Sequence, residues 1–268
     1  MMKQRMATIG LLITLLLLGI ALLAPLLAPH DPSALDLAGN LSAPSFTHPL
    51  GQDKLGRDIL SRILFGARVS VKVGFFTVGI SLFLGLAIGS LAGYAGKWVD
   101  EVLMRIIDIL MAFPGILLAI AITAVLGPSL NHVILALCLT GWVGYARLIR
   151  GQILSERERE YVQAARSIGA GPVRILRRHI LPNTLAPIIV EATFGLASAI
   201  LSEAGLSFLG LGTQPPTPSW GAMLNEGSHF LLIAPHLTIF PGLAIMLVVL
   251  GFNFLGDGLR DWMDVQKG

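Results

Sequence analysis

The polar chemistry of this chain of 268 residues is concentrated in one segment, residues 150–182. It reads RGQILSERERE and then YVQAARSIGAGPVRILRRHILP. In its first part Ile153, Leu154, Tyr161, Val162, Ala164 and Ala165 recur at helical spacing among charges, which predicts an amphipathic helix. Gly169, Ala170, Gly171 and Pro172 then break it. Pro172 suits the first turn of a new helix, because its missing N–H is an unused donor there. That helix, residues 173–178, is short, basic and amphipathic, and Leu181-Pro182 is expected to end it. A basic stretch of this kind can lie on anionic headgroups. A helix, a glycine break and a second short helix instead make a projecting knob. Its apolar face fits a groove in a soluble partner.

Other reactive constellations are missing. An intramembrane serine protease needs a G-x-S-x-G-like turn and a facing histidine; no such turn occurs. No catalytic residue is therefore assigned. There is no G-x-x-x-x-G-K-[ST] loop, so any energy must come from a partner or a gradient. A gradient-driven carrier predicts internal repeats, and none is seen. His132, His179, His229 and His236 show no ligand spacing, and no metal site is expected. Cys138 is the one cysteine, which excludes an internal disulfide or a cysteine-based metal cluster. It reads as a small apolar core residue.

The elements that must position the polar segment come from the charge-free runs. The chain is 54% hydrophobic and only 13% charged, about half the charge of a soluble domain. That excludes a disordered chain, a nucleic-acid-binding domain and an ordinary cytosolic enzyme. A bilayer core about 30 Å thick needs about 20 apolar residues per helix. The apolar runs predict an all-α polytopic membrane protein with six transmembrane helices, near residues 8–30, 73–96, 106–126, 130–149, 184–206 and 236–256. The first run exceeds the usual signal-peptide core, so it is read as a retained helix.

Charges inside these helices are functional candidates, since each costs about 2.5–3.5 kcal/mol at the bilayer centre. Glu191 and Glu203 fall in the fifth helix and are candidates for a translocation path. Glu203 is also compatible with a packed helix end. Asp108 is expected to pair locally with Arg105. Pro114, Pro187, Pro235 and Pro241 favour bends. The small-residue runs 85–93 and 251–258 read as packing surfaces, one of them facing a partner subunit.

Lysine and arginine set the orientation. With the N-terminus inside, 14 of the 19 fall on one side, including Arg147, Arg150, Arg157, Arg159, Arg166, Arg174, Arg177 and Arg178. The other side receives Lys54, Arg57, Arg62, Arg68 and Lys72. Both termini are expected in the cytoplasm. The loop from Gln214 onward, with Pro215, Pro216, Pro218 and Trp220, is expected to fold back over the outer mouth and meet a partner. The segment 31–68 is the other outer candidate.

Gln163-Ala164-Ala165, then Gly169, then Leu181-Pro182 resembles the EAA loop of ABC importer permeases. Gln163 stands where that family usually has Glu. The stretches His48-Pro49-Leu50-Gly51-Gln52-Asp53-Lys54-Leu55-Gly56-Arg57-Asp58 and Glu203-Ala204-Gly205-Leu206-Ser207-Phe208-Leu209-Gly210-Leu211-Gly212 are similar to the C-type permease of the dipeptide, oligopeptide and nickel importers. The resemblance implies a type I importer fold, with a five-helix core and an added N-terminal helix. It implies that Gln163, Ala164, Ala165, Gly169, Ala170, Gly171, Arg174, Leu181 and Pro182 couple to an ATPase. It further implies a second, related permease subunit, ATPase subunits that use the ATP with no cofactor bound here, and an extracytoplasmic solute-binding protein. Gln214, Pro215 and Trp220 become contact candidates for that binding protein. The expected organisation is an N-terminal helix and outer segment (1–68), a transmembrane domain (69–258) containing the loop 150–182, and a cytoplasmic tail (259–268). The expected setting is the lipid of a bacterial or archaeal cytoplasmic membrane. Short peptides are the favoured cargo, with nickel or a nickel chelate as the alternative.

Overall fold

A computed structural model describes the backbone of residues 2–265 and the side chains of residues 6–263. Lys3, Arg5 and Lys267, which contribute to the charge count, have side chains outside that range. Ten α-helices follow in order among the described residues: α1 (Met2–Leu27), α2 (Ile59–Ala95), α3 (Lys97–Met111), α4 (Gly115–Leu126), α5 (Leu130–Glu156), α6 (Glu160–Ser167), α7 (Pro172–Ile175), α8 (Leu181–Phe208), α9 (Trp220–Ser228) and α10 (His236–Val265). Among the described residues five helical stretches are long and apolar enough to cross a membrane, and α3 with α4 forms a bent pair that is long and apolar enough only when the two are taken together.

That break corrects the expected single helix over 106–126. The chain bends by 80° between Met111 and Gly115. The break falls at Pro114, the N-cap of α4; a proline disfavours the helical conformation in the residue before it and brings no N–H.

The second helix also begins earlier than expected. It starts at Ile59 and runs 37 residues, about 55 Å at 1.5 Å per residue, longer than a bilayer core. Asp58 caps it, accepting from the Ser61 N–H and hydroxyl at 2.7 Å each. Arg62, Arg68 and Lys72 interrupted the apolar run and hid this start. At the other end of the chain α10 continues to Val265. Residues 259–265 of the expected tail are therefore helical, and 266–268 lie outside the described residues.

Small residues set the helix contacts. A Cβ on Gly85 would lie 2.4 Å from Tyr145 Cβ, and one on Gly89 would lie 2.5 Å from the Ala146 carbonyl oxygen. Both close contacts are with α5. A Cβ on Gly251 would lie 2.5 Å from Ile13, and one on Gly258 would lie 2.2 Å from Ala7, both on α1. Both small-residue runs therefore pack within this chain, and neither needs a partner subunit to explain it. Close backbone approach is what such runs provide in lipid, where dispersion replaces the hydrophobic effect. Asp108 pairs with Arg147 of α5 rather than with Arg105, and Asp100 accepts from Arg150 Nε and Nη2 along one edge of the guanidinium. These pairs pin α3 to α5. Cys138 is buried, as expected, with its thiol near the Phe76 and Thr77 carbonyls.

Candidate functional site

The segment 150–182 sits at one end of the bundle, and the loops 28–58 and 209–235 sit at the other. α5 ends at Glu156 and α6 begins at Glu160, so the expected first helix is split by a turn over 157–159. Of its predicted stripe, Ile153, Val162 and Ala165 are buried, Leu154 is partly buried, and Tyr161 and Ala164 are exposed. Gly169 closes α6 at φ +81°. The Ala170 N–H donates to the Ala165 carbonyl at 3.0 Å and the Gly169 N–H to that of Arg166 at 2.9 Å. This pair of bonds is the Schellman closure, which needs a left-handed residue and therefore favours glycine.

Pro172 opens α7 as expected. Leu181-Pro182 does not end the helical path, however. A π-type turn, Leu176–Ile180, joins α7 directly to α8, and Pro182 lies in the first turn of α8. The missing proline donor is harmless at that position. The whole of Pro172–Phe208 forms one candidate span of 37 residues.

The knob presents a mixed surface. Ile168 and Val173 are exposed at 86% and 66%, beside exposed Arg166, Arg174, Arg177 and Arg178. Gln163, Ala164, Gly169 and Gly171 are exposed as well, while Ala170 and Leu181 are partly covered. Ile175 and Ile180 point inward with Val162 and Ala165 and fix the knob to the bundle. Tyr161 donates to Glu156 and accepts from Asn183 Nδ2 at 3.2 Å, which ties α5, α6 and α8 together. Partial burial, together with the Glu156 carboxylate, pushes the Tyr161 phenol up to about 12.

Deeper in the bundle, α2, α4, α5 and α8 surround a cavity of about 390 Å³. Thr77, Ser81, Thr140, Tyr145, Glu191 and Ser198 supply its polar lining. The Thr77, Ser81 and Tyr145 oxygens are buried without a hydrogen-bond partner among the described residues. Gly195 makes room for the phenol: a Cβ there would lie 2.0 Å from Tyr145 Oη. Glu191 is exposed to this space. Glu203 is not among the lining residues. It is buried at 1% exposure and accepts from the Ser207 hydroxyl at 2.6 Å, as the packed-end alternative expects.

At the opposite end Gln214 and Pro215 are exposed, but Trp220 is only 3% exposed. Its indole N–H donates to the Ile63 carbonyl at 3.0 Å, so Trp220 is a core residue and not a contact surface. The segment 52–62 holds a cluster the sequence reading missed. Arg57 binds Asp53 and Glu226 at 2.6 Å each, and Arg62 lies 3.5 Å from both carboxylates. A second missed group is His30 and His48 beside Asp58. Only proximity in the fold reveals either group, since Glu226 lies 169 residues from Arg57.

Comparison with known proteins decides the family. Residues 85–266 match the model of the binding-protein-dependent transport system inner membrane component, and residues 1–44 match the N-terminal TM domain of oligopeptide transport permease C. The chain belongs to this permease family. It is 48% identical over 262 residues to the dipeptide transport system permease protein DppC of Alkalihalophilus pseudofirmus, covering 98% of this chain and 86% of that one. It is 47% identical to the glutathione transport system permease protein GsiD of Pectobacterium atrosepticum, covering 98% and 88%. The fold resembles an inward-facing structure of the MetNI methionine ABC transporter, with a TM-score of 0.63 at 20% identity, over 75% of this chain and 95% of that one. This family member is thus a multi-pass inner-membrane permease with the type I ABC importer fold.

Proposed function

We propose that the chain is one permease subunit of an ATP-driven importer for short peptides. The observation that carries this is near-full-length identity of about half to permeases named for dipeptide and glutathione transport. A second permease subunit, two ATPase subunits and a solute-binding protein complete the machine. The chain itself performs no covalent chemistry, and ATP is hydrolysed by the partners. The organisation 1–68, 69–258 and 259–268 follows, with residues 150–182 and both termini on the cytoplasmic side.

The cavity suits a peptide. The exposed Glu191 carboxylate can meet an amino terminus, and the Thr77, Ser81 and Tyr145 hydroxyls, buried in this state, can bond backbone amide groups once the helices part around a cargo. The knob of residues 160–180 seats in an ATPase cleft, with Ile168 and Val173 as apolar contacts and the arginines around them. Because the helical path from Pro172 to Phe208 is unbroken, movement of the knob tilts α8, which lines the cavity. ATP drives transport because its binding favours one of two permease states, which is alternating access around a site between the subunits.

The test is uptake by the reconstituted complex. Labelled dipeptide and glutathione should accumulate in proteoliposomes only with ATP on the ATPase side and with binding protein present. Accumulation driven by an ion gradient without the ATPases would overturn the reading.

A further inference from the structure

The start of α2 gathers three metal-ligating side chains from distant parts of the outer segment. One ring nitrogen of His30, one of His48 and a carboxylate oxygen of Asp58 all lie within 4.8 Å of one another. His48 Nδ1 is 2.9 Å from Asp58 Oδ1, and His30 Nδ1 is 3.8 Å from the same oxygen. The two imidazole rings stack with centroids 4.4 Å apart and 26° between their planes, so one ring must turn about its Cβ–Cγ bond for both nitrogens to face a single ion. At bond lengths of about 2.0–2.2 Å, a tetrahedral ion holds its ligand atoms about 3.3–3.6 Å apart. The two histidine–aspartate separations bracket that spacing.

The surroundings are built to hold these groups. Asp58 is 2% exposed, and its Oδ2 is taken by the two bonds from Ser61. That leaves Oδ1 facing only the two imidazoles. Ser61 Oγ also accepts from the His30 backbone N–H at 3.1 Å, so one serine positions both a carboxylate and a histidine. Such outer contacts orient metal ligands and fix their geometry. A single proton can bridge one imidazole to Asp58, and the His30 nitrogen, 3.8 Å from the carboxylate on a side chain 39% exposed, is then left to solvent. A cation of two charges satisfies all three donors together.

We propose that His30, His48 and Asp58 form a binding site for a first-row divalent transition-metal ion of the Zn²⁺ class. Two imidazoles and one carboxylate are the donor set that such borderline ions prefer, and not that of Ca²⁺ or Mg²⁺. The His30 side chain is 39% exposed and lines a cavity of about 650 Å³ with Pro25, Pro29, Phe65, Pro216 and Pro218, so a water ligand would reach the ion from the His30 side. The bound ion pins the segment after α1 to the first turn of α2.

The experiment uses the full chain purified with its partner subunits through a tag free of histidine. After dialysis against Zn²⁺, bound zinc is counted by mass spectrometry, and Co²⁺ is substituted to read coordination from its visible spectrum. The wild type should retain about one ion per chain at this site, with the intense absorption of four-coordinate cobalt. His48→Gln and Asp58→Asn should each lower affinity at least about tenfold. Asparagine caps a helix as well as aspartate, so Asp58→Asn keeps the fold while removing the anionic ligand. If the wild type retains no zinc, or if both variants retain as much as the wild type, the cluster is a hydrogen-bonded His–Asp pair and the proposal fails.

Discussion

Peptide uptake is expected to fall at least tenfold when Gly169 is replaced by aspartate, with unchanged amounts of the subunit in the membrane. The two halves of this result have separate causes. Gly169 has φ +81°, a conformation that costs other residues about 1–2 kcal/mol, with Asp and Asn the mildest exceptions. No atom lies within 4 Å of a Cβ built at this position. The chain itself therefore has space for the side chain, and the fold persists. In the ATPase cleft proposed for the knob, a new carboxylate would be desolvated without a designed partner, a penalty of several kcal/mol. Tenfold corresponds to about 1.4 kcal/mol, well within that penalty. Uptake and ATP hydrolysis, measured on the same vesicles, check it. Normal uptake with Gly169→Asp would show that nothing docks at this turn.

The second large effect is on stability at the opposite end. The cluster of Asp53, Arg57, Arg62 and Glu226 holds two cations and two anions, with side-chain exposures of 7%, 5%, 3% and 19%. Charges so deeply covered are tolerated only while they balance. Arg57→Ala leaves Asp53 and Glu226 with Arg62 alone, at 3.5 Å from each. A loss of about 3–5 kcal/mol is expected, the usual cost of orphaning a buried charge. Glu226→Gln should cost a comparable amount. The double variant should cost clearly less than the two added together, because the second change removes the charge that the first left unpaired. Thermal unfolding of the four proteins in detergent measures this. Strict additivity would mean that the residues act separately.

Why these sites were or were not readable follows from what periodicity reports. The apolar runs on α1, α5, α8 and α10 face lipid or close-packed helices, so hydropathy alone located them. The knob was legible because Gly169, Gly171 and Pro172 carry local backbone demands that a single sequence displays. The start of α2 was hidden because Arg62 is buried against residues far away in the chain. Trp220 carried the composition of a surface aromatic, yet its indole bonds a carbonyl of α2 and it sits in the core. Glu203 was compatible with a path or with a packed helix end, and only the fold shows Ser207, one helical turn later, donating to it in a packed environment. The break at Pro114 was expected as a bend, but its size depends on packing against α5. The clusters around Asp53 and Asp58 depend wholly on tertiary proximity.

In the proposed transporter, the exposed turn between α6 and α8 meets the nucleotide-hydrolysing subunits. Arg174→Cys places a thiol on α7, and a short bifunctional crosslinker can join it to engineered cysteines around the cleft of each ATPase subunit in native membranes. A crosslink to an ATPase whose yield changes when ATP is bound is the predicted result. A thiol at residue 174 that is labelled from the outer side of the membrane, or that joins no ATPase subunit in the assembled transporter, would contradict the account.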